Sequence, residues 1–288
     1  FHFSKKSIFE FTESKRLKIL EKAWLNGGLS FRACFSDITK KISANKIVSN
    51  FIRDKIKRIV KDKHIAKILT DFGHPFTTKR PTLNTNYFEI FNRKNVQLVD
   101  LKTNPIIKIT KKGIKTKNEE LRFDKIIFAT GYDALSGPIL SLNLTGRKNI
   151  KLKKYWKNGP KTFLGIMIPN FPNFFVISGP GSPSVLTNVP AQIEQHVEWI
   201  SKFIKHLEKV GCSKVEPGIK ETENWVNEIN ILANKSLFMK AKNSWYKGDN
   251  IPGKPKKFIP YPAGLPQYRE ICNKVQKKMY KGFNISLK

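Results

Sequence analysis

The clearest indication of the fold is a segment past the middle of the chain, Asn173-Phe-Phe-Val-Ile-Ser-Gly179, followed by Pro-Gly-Ser-Pro-Ser184. Its first part is a short apolar run that ends at a glycine, which is typical of a strand buried on both faces. Its second part is a glycine-rich loop. Apolar residues follow at three- and four-residue steps: Ile193, Val197, Ile200, Ile204 and Leu207. They predict an amphipathic helix over about residues 187–210, and strand, loop and helix together indicate an α/β fold.

Further apolar segments precede this stretch. Asp124-Lys-Ile-Ile-Phe-Ala-Thr-Gly131 is a second continuous run that ends at a glycine, and it predicts another strand buried on both faces. Residues 95–101 are strand-like. Residues 105–110 and 114–116 flank a turn at Lys112-Gly113, which predicts a hairpin.

The two ends of the chain differ in character. Apolar residues at helical spacing predict helices over residues 7–26 and 44–70. One more helix is predicted around Trp225, Ile229 and Leu232. From residue 240 onward, the proline and glycine content predicts a loop-like tail.

The composition is strongly basic. The 288 residues include 54 Lys and Arg against 22 Asp and Glu, for a formal net charge of +32. The basic residues are spread along the whole chain, only nine of them are Arg, and no three are consecutive. A nucleic-acid site is more often a clustered, Arg-rich stripe, so we interpret the charge as a lysine-rich surface and expect no nucleic-acid partner. A nucleic-acid-binding protein is kept as an alternative.

Several other classes are disfavoured. Hydrophobic residues make up 40% of the chain, which is enough for a packed core. No apolar run approaches the roughly 18 residues that span a bilayer. The three cysteines are too scattered for a disulfide framework, which indicates a reduced, cytoplasmic protein. The five histidines show no metal-ligand spacing, so no metal is expected.

Common catalytic and phosphate-binding motifs are also missing from the sequence. Ser184 follows an apolar run but lacks the later glycine of a nucleophile elbow, because position 186 is Leu. No GxGxxG or GxxxxGK[ST] pattern is present. Two segments remain as candidate sites. Lys79-Arg80-Pro81 could hold a phosphate or an oxyanion, or be a solvated turn. Trp245 and Tyr246, within Asn243–Lys256, could close over a flat ligand or simply fix a loop to the surface.

Four ordered segments resemble the Baeyer–Villiger monooxygenases of the cyclohexanone monooxygenase type, within the flavin-containing monooxygenase superfamily. They begin with Lys79-Arg-Pro-Thr-Leu-Asn and continue with Phe128-Ala-Thr-Gly-Tyr-Asp133. The third runs from Gly179 through the glycine loop and into the predicted helix as far as Trp199. The last is Asn243-Ser-Trp-Tyr with Ile251-Pro-Gly-Lys-Pro255.

The resemblance implies a partial flavoprotein fold of two dinucleotide-binding, Rossmann-like domains, one for FAD and one for NADP. Residues 1–76 resemble a helical insertion. Residues 77–128 resemble the returning half of the NADP-binding domain. Residues 129–288 resemble the returning half of the FAD-binding domain with its C-terminal cofactor loop. Because the glycine fingerprints and the initial Met are missing, the sequence is expected to be the C-terminal half of a longer enzyme, inactive by itself.

The implied chemistry is the insertion of oxygen beside a ketone carbonyl, through a C4a-peroxyflavin made with NADPH and O2, to give an ester or lactone. By resemblance, Arg80 is the catalytic cation beside the flavin, and Lys79 pairs with the 2′-phosphate of NADP. Trp245 lies on a mobile loop over the nicotinamide cofactor. The backbone of Ala129, Thr130 and Gly131 approaches the cofactors, while Asn188 and Val189 place a helix N-terminus near the flavin. A related N- or S-oxygenase and an inactive truncated chain are the alternatives.

Overall fold

The structure, a computed structural model, describes residues 3–287. The chain forms two compact units. The first takes in the described residues up to Ile38, then Ile42–Phe76 and Pro81–Tyr132. The second takes in Thr39–Lys41, Thr77–Arg80 and the described chain from Asp133 onward. The polypeptide therefore passes between the units more than once.

Three helices form the N-terminal part of the first unit. α1 is Glu13–Asn26, α2 is Ile42–Ile59 and α3 is Lys63–Thr70. The helix predicted over residues 7–26 starts late, because a short 3-10 turn at Ile8–Glu10 comes first. It ends at Gly27, whose φ of +64° suits a residue without a Cβ atom.

Asp62 divides the second predicted helix into α2 and α3. Its Oδ1 accepts hydrogen bonds from the backbone N–H groups of His64 and Ile65, at 2.7 and 2.9 Å. A side chain that satisfies these first N–H groups starts a new helix, so the apolar spacing over residues 44–70 continues while the helix does not.

The apolar faces of these helices bury one another. α1 contributes Leu20 and α2 contributes Val48, both fully buried. The indole of Trp24 packs edge-on against the rings of Phe31 and Phe51, with centroids 6.1 Å apart in each pair. This part of the unit therefore has a hydrophobic core of its own.

The rest of the first unit contains the predicted hairpin. β1 (Ile106–Thr110), β2 (Gly113–Thr116) and β3 (Glu120–Arg122) form an antiparallel sheet in chain order. A side chain at Gly113 would lie 2.0 Å from the carbonyl oxygen of Leu121, so only glycine fits between β2 and β3.

Two strand predictions in this unit are wrong. Residues 95–101 and 124–131 are extended or turn-like and pair with none of the described strands. Ile127 is 92% exposed and Phe128 is 70% exposed, so the second segment is not buried either. A buried strand needs neighbours on both edges and both faces, and the described chain supplies none here.

The second unit contains the remaining regular elements. In chain order they are α4 (Gly137–Ser141), α5 (Leu152–Tyr155), α6 (Val189–Lys209), β4 (Cys212–Pro217), α7 (Ile219–Asn234), α8 (Leu265–Lys277) and β5 (Phe283–Leu287). β4 and β5 pair antiparallel, with Val215 opposite Ile285. α6 and α7 confirm the two helices predicted from apolar spacing.

An aromatic core holds this unit together. Phe203 on α6 is fully buried and stacks on Tyr280, with ring centroids 4.2 Å apart. Trp199 and Phe283 pack against the same ring, at 5.3 and 4.7 Å. α6, α8 and β5 are therefore joined by one cluster of rings.

Two predictions in the second unit need correction. Residues 173–179 form no strand; Phe175 makes a single bridge to Met167, although Val176 is buried as expected. The tail from residue 240 is not all loop, because α8 and β5 lie within it. α8 follows Gly264 and has Pro266 in its first turn, where a proline is tolerated.

The observed fold is a mixture of helix and sheet, and every strand pair within residues 3–287 is antiparallel. The Rossmann-like assignment and its domain boundaries therefore stay predictions. Each helix within residues 3–287 is too short or too polar to span a lipid bilayer.

Candidate functional site

Arg80, the cation singled out by the sequence, lies at the N-terminal end of α6. Its Nη1 donates to the carbonyl oxygens of Val185 and Thr187, the latter at 3.5 Å. The guanidinium is thus held by backbone atoms that immediately precede the helix. Among residues 3–287, no Asp or Glu forms an ion pair with Arg80 or with the half-buried Lys79.

The start of α6 adds a second source of positive potential. Asn188 is the N-cap, and its Oδ1 accepts a hydrogen bond from Ala191 N–H at 3.2 Å. Val189 is the first helical residue and is half-buried. A helix N-terminus carries a partial positive charge, and Arg80 adds a full one beside it. This environment favours an anionic or electron-rich group.

The glycine loop before α6 is held by buried side chains. Trp225 Nε1 donates to the carbonyl oxygen of Gly181 at 3.1 Å, and Thr162 donates to that of Pro180. Tyr261 stacks on the indole of Trp225, with centroids 4.9 Å apart and planes 10° apart. Gly181 has a φ of +91°, and a Cβ there would lie 2.8 Å from Thr162 Oγ1. The position therefore requires glycine for two reasons.

Both serines of the glycine loop are buried. Ser182 is fully buried and its Oγ donates to the Gly179 carbonyl at 2.7 Å. Ser184 is 4% exposed. A buried hydroxyl that is bound to the backbone is a poor nucleophile, so the tight-loop interpretation of this segment fits the structure.

A buried histidine supports the same loop from the helix side. His196 Nδ1 accepts from Ser178 N–H at 3.2 Å, and its Nε2 lies 2.7 Å from Tyr268 Oη. Tyr268 in turn donates to the Leu164 carbonyl at 2.5 Å. Burial lowers the pKa of His196 to about 4. The ring is therefore neutral at pH 7, with Nδ1 as acceptor and its proton on Nε2.

The segment around Trp245 is an ordered loop. Tyr246 is buried against Phe238 and Phe258, and it anchors the loop. Trp245 remains half-buried beside it. Lys247 forms an ion pair with Asp249 at 3.0 Å, and both side chains are about nine-tenths buried. The surface-fixing interpretation therefore holds for Tyr246, while the side chain of Trp245 is still partly accessible.

Ala129, Thr130 and Gly131 lie in the first unit, at the end of the exposed segment. All three are exposed, and Gly131 has a φ of +92°. A Cβ at Gly131 would meet nothing within 4 Å, so here the backbone angle alone favours glycine. The close approach to a cofactor that we expect of this segment stays a prediction.

The structure thus brings together only part of the predicted site. Arg80, Asn188 and Val189 meet at the start of α6. No hydrogen bond or ring contact among residues 3–287 joins Trp245 to them. Sequence reasoning missed the role of Lys254, which forms an ion pair with Asp133. Both residues stand in segments that carried the resemblance, but nothing in their spacing shows that they meet.

A scan against models of known protein families gives no match. Individual proteins are nevertheless clearly similar to this chain in sequence. Cyclohexanone 1,2-monooxygenase of an Acinetobacter species is 38% identical over 277 residues, which cover 95% of this chain and 50% of the relative. Phenazine N-monooxygenase of Lysobacter antibioticus is 36% identical over 282 residues, 96% of this chain and 51% of the relative.

A solved structure of OTEMO in complex with FAD and NADP is similar with a TM-score of 0.95 and 31% identity, over 99% of this chain and 53% of that one. The chain thus spans about half the length of the curated relatives it matches, and it corresponds to their C-terminal half.

Proposed function

Because this chain belongs to the Baeyer–Villiger monooxygenase family, we propose that it is part of an FAD- and NADP-dependent enzyme that oxygenates a small ketone to an ester or lactone. In this proposal residues 1–76 are a helical insertion. Residues 77–128 and 129–288 complete an NADP-binding and an FAD-binding domain of Rossmann-like fold.

The observation that carries the proposal is the pairing of Arg80 with the start of α6. The guanidinium has no carboxylate partner within residues 3–287 and lies beside the N-terminus of α6, where the helix dipole is positive. A site of this kind fits the electron-rich edge of a flavin and a substrate oxygen that gains negative charge. Asn188 and Val189 belong to the same helix start and would face the ring with their backbone.

Bound FAD would supply the activation of dioxygen, and NADPH would supply the hydride that reduces the flavin. The protein then has to bind, orient and shield. Arg80 stays protonated at any working pH, so it can stabilise the oxyanion that develops on the substrate carbonyl. It is the residue we propose as catalytic.

The remaining residues bind the nicotinamide cofactor in this proposal. Lys79 is half-buried, and no carboxylate of the described chain pairs with it, so its ammonium can pair with the 2′-phosphate of NADP. Trp245 is partly accessible on an anchored loop and would cover the cofactor and exclude water. Ala129, Thr130 and Gly131 would present their backbone to the cofactors.

The test is Arg80→Ala in a full-length version of the enzyme. Ketone oxygenation should fall by a factor of about 10² to 10³, because one stabilising donor is lost, while some NADPH oxidation continues. Arg93→Ala, which changes an exposed arginine in the first unit, is the matched control and should be unaffected. Unchanged lactone formation in Arg80→Ala would overturn the assigned role.

A heteroatom oxygenase is the second candidate, and the phenazine N-monooxygenase relative favours it. The two functions differ in the acceptor. A ketone requires stabilisation of an oxyanion, whereas an amine or sulfide attacks the oxidant directly. Oxygenation of a tertiary amine that survives Arg80→Ala, with no lactone from cyclic ketones in the wild type, would favour the second candidate.

The isolated 288 residues are expected to be inactive, because the sequence contains no GxGxxG pyrophosphate-binding motif. Stoichiometric FAD in the purified chain would contradict this expectation. The cytoplasmic location and the lack of a nucleic-acid partner stay predictions.

A further inference from the structure

One ion pair joins two segments that are 121 residues apart in sequence. Lys254 Nζ pairs with Asp133 Oδ1, and it also donates to the carbonyl oxygen of Ala134 at 3.3 Å. Lys254 stands in the Ile251–Pro255 segment of the Trp245 loop. Asp133 follows Gly131 by two residues, at the point where the chain enters the second unit.

The pair occupies a place that the backbone leaves free for it. The Lys254 side chain is 11% exposed and crosses Gly248, where a Cβ would lie 3.1 Å from its Cδ. The Asp133 side chain lies on Gly137, where a Cβ would be 2.5 Å from its Cγ. Gly248 also has a φ of +71°, which disfavours any side chain there. Two glycines thus make room for one lysine and one aspartate.

Its surroundings distinguish this pair from an ordinary surface ion pair. Most exposed pairs contribute little, because both partners are solvated and free to move. Here the Asp133 side chain is 43% exposed, but the lysine stem is buried and its ammonium has a second acceptor, whereas Lys256 and Lys257 in the same loop are exposed. The lysine is therefore held in one orientation, and the loop with it.

The rest of the loop transmits this constraint to Trp245. Lys257 N donates to Lys247 O at 3.0 Å, and Ile259 N donates to Tyr246 O at 2.8 Å. Tyr246 and Lys247, which directly follow Trp245, are thereby fixed to the irregular segment that follows Lys254. A displacement of Lys254 would shift the backbone that carries the indole.

We propose that Lys254 and Asp133 are positioning residues, whose ion pair fixes the Trp245 loop to residues 133–137 of the second unit and so holds Trp245 in the orientation that binds the nicotinamide cofactor. This inference rests on the proposed function, in which Trp245 binds NADP. Neither residue contacts reacting atoms in this role; they act through Trp245.

The experiment measures steady-state kinetics of the full-length holoenzyme with NADPH and a cyclic ketone. Lys254→Met keeps the length of the stem and removes the charge, and Asp133→Asn keeps the shape of the carboxyl group. We expect each variant to raise KM for NADPH about tenfold and to change kcat less than about twofold. Lys256→Met, an exposed neighbour in the same loop, should leave both constants unchanged.

The double variant and a conservative variant separate positioning from general destabilisation. Lys254→Met with Asp133→Asn should be no worse than either single variant, because the two residues act as one unit. Lys254→Arg should recover most of the affinity for NADPH. Should Lys254→Met fail to fold, Asp133→Asn alone carries the comparison with Lys256→Met.

Several results would overturn the proposal. It would be overturned by single variants with an unchanged KM for NADPH, or by additive effects in the double variant. It would also be overturned if kcat, FAD content and melting temperature fell together while KM did not change. A wild-type enzyme that does not oxidise NADPH would instead overturn the proposed function, so the two failures are distinguishable.

Discussion

Residues 124–131 and 173–179 have nearly the same sequence pattern and opposite surroundings. In the first, Ile127 is 92% exposed and Phe128 is 70% exposed. In the second, Val176 is 8% exposed and the Phe175 ring packs edge-on against Phe203 at 6.2 Å. An apolar run that ends at a glycine predicts a buried segment. Whether the segment is buried depends on residues elsewhere in the chain that can pack against it.

The buried segment is held by irregular contacts instead of a sheet. Asn173 N donates to Val215 O, and Asn173 Oδ1 accepts from Val215 N, both at 2.9 Å. Val176 N donates to Ile166 O at 2.7 Å. Residues 173–179 are therefore partly buried, and their backbone groups form hydrogen bonds, without the β-sheet that the sequence pattern predicted.

Matched Phe→Ala substitutions should give the largest difference between the two surroundings. Phe203→Ala should cost about 3–5 kcal/mol of unfolding free energy, because it opens a cavity between Trp199, Tyr280 and Phe283. Phe128→Ala should cost less than about 0.5 kcal/mol, since its ring is mostly in water. Native-state hydrogen exchange of the α6 amides as a function of urea measures the first cost, and equal losses in the two variants would contradict the prediction.

The Phe128 substitution also tests the proposed fold. In a full-length version of the protein, the proposed fold supplies neighbours for residues 124–131. We then expect Phe128→Ala to become comparably costly, and an unchanged, negligible cost there would count against that fold.

Acid should lower the free energy of unfolding through His196, whose Nδ1 accepts the Ser178 N–H of the buried segment. In the unfolded chain His196 protonates near pH 6.5, whereas burial lowers its folded pKa to about 4. The unfolded state therefore binds more protons between these values, and stability falls by about 3 kcal/mol as the pH drops from 6.5 to 4. The measurement compares wild type with His196→Gln, which does not titrate; a wild-type advantage that is the same at pH 7 and pH 5 would refute it.

Two glycines with almost the same backbone φ angle have different surroundings. Gly131 and Gly181 have φ of +92° and +91°, but only Gly181 is crowded, by Thr162 and Trp225. Alanine at either position incurs the strain of the left-handed region, about 1–2 kcal/mol. Gly181→Ala should cost about 2 kcal/mol more through overpacking. Urea denaturation of both variants gives the difference, and equal costs would show that crowding is relieved.

The smallest stability effect belongs to the exposed segment itself. Ile127→Lys should change the unfolding free energy by less than about 0.5 kcal/mol, yet reduce concentration-dependent association of the chain, because exposed apolar surface promotes it. Ile231→Lys, on the exposed face of α7, is the control. Sedimentation velocity over a range of concentrations distinguishes them, and identical association of both variants with wild type would contradict the prediction.

Helices were the most predictable part of the fold, because their apolar spacing is local. α6 and α7 lie where the apolar spacing around Ile200 and Ile229 predicted them. α8 was missed, although Tyr268, Ile271, Cys272 and Val275 have the same spacing, because the prolines and glycines nearby outweighed it. The strand predictions failed because pairing depends on distant residues that a pattern in one segment does not contain.

The candidate site shows the same division. Lys79 and Arg80 were singled out as adjacent cations before a proline, and the structure adds that Arg80 reaches the start of α6. The ion pair of Lys254 with Asp133 could not be inferred, because both residues look like ordinary surface charges in sequence. The roles of all the candidate site residues remain predictions for the full-length enzyme: Lys79, Arg80, Ala129-Thr130-Gly131, Asn188, Val189 and Trp245.

The stack of Trp225 on Tyr261 gives the glycine loop an internal optical probe. The indole N–H is bound to the Gly181 carbonyl, and one indole face is covered by the phenol ring at 4.9 Å. Emission from this tryptophan therefore depends on the position of the very backbone that leads into α6. If the loop shifts when a ligand binds, the emission wavelength of Trp225 would change. The movement could then be followed by intrinsic fluorescence, without an attached dye.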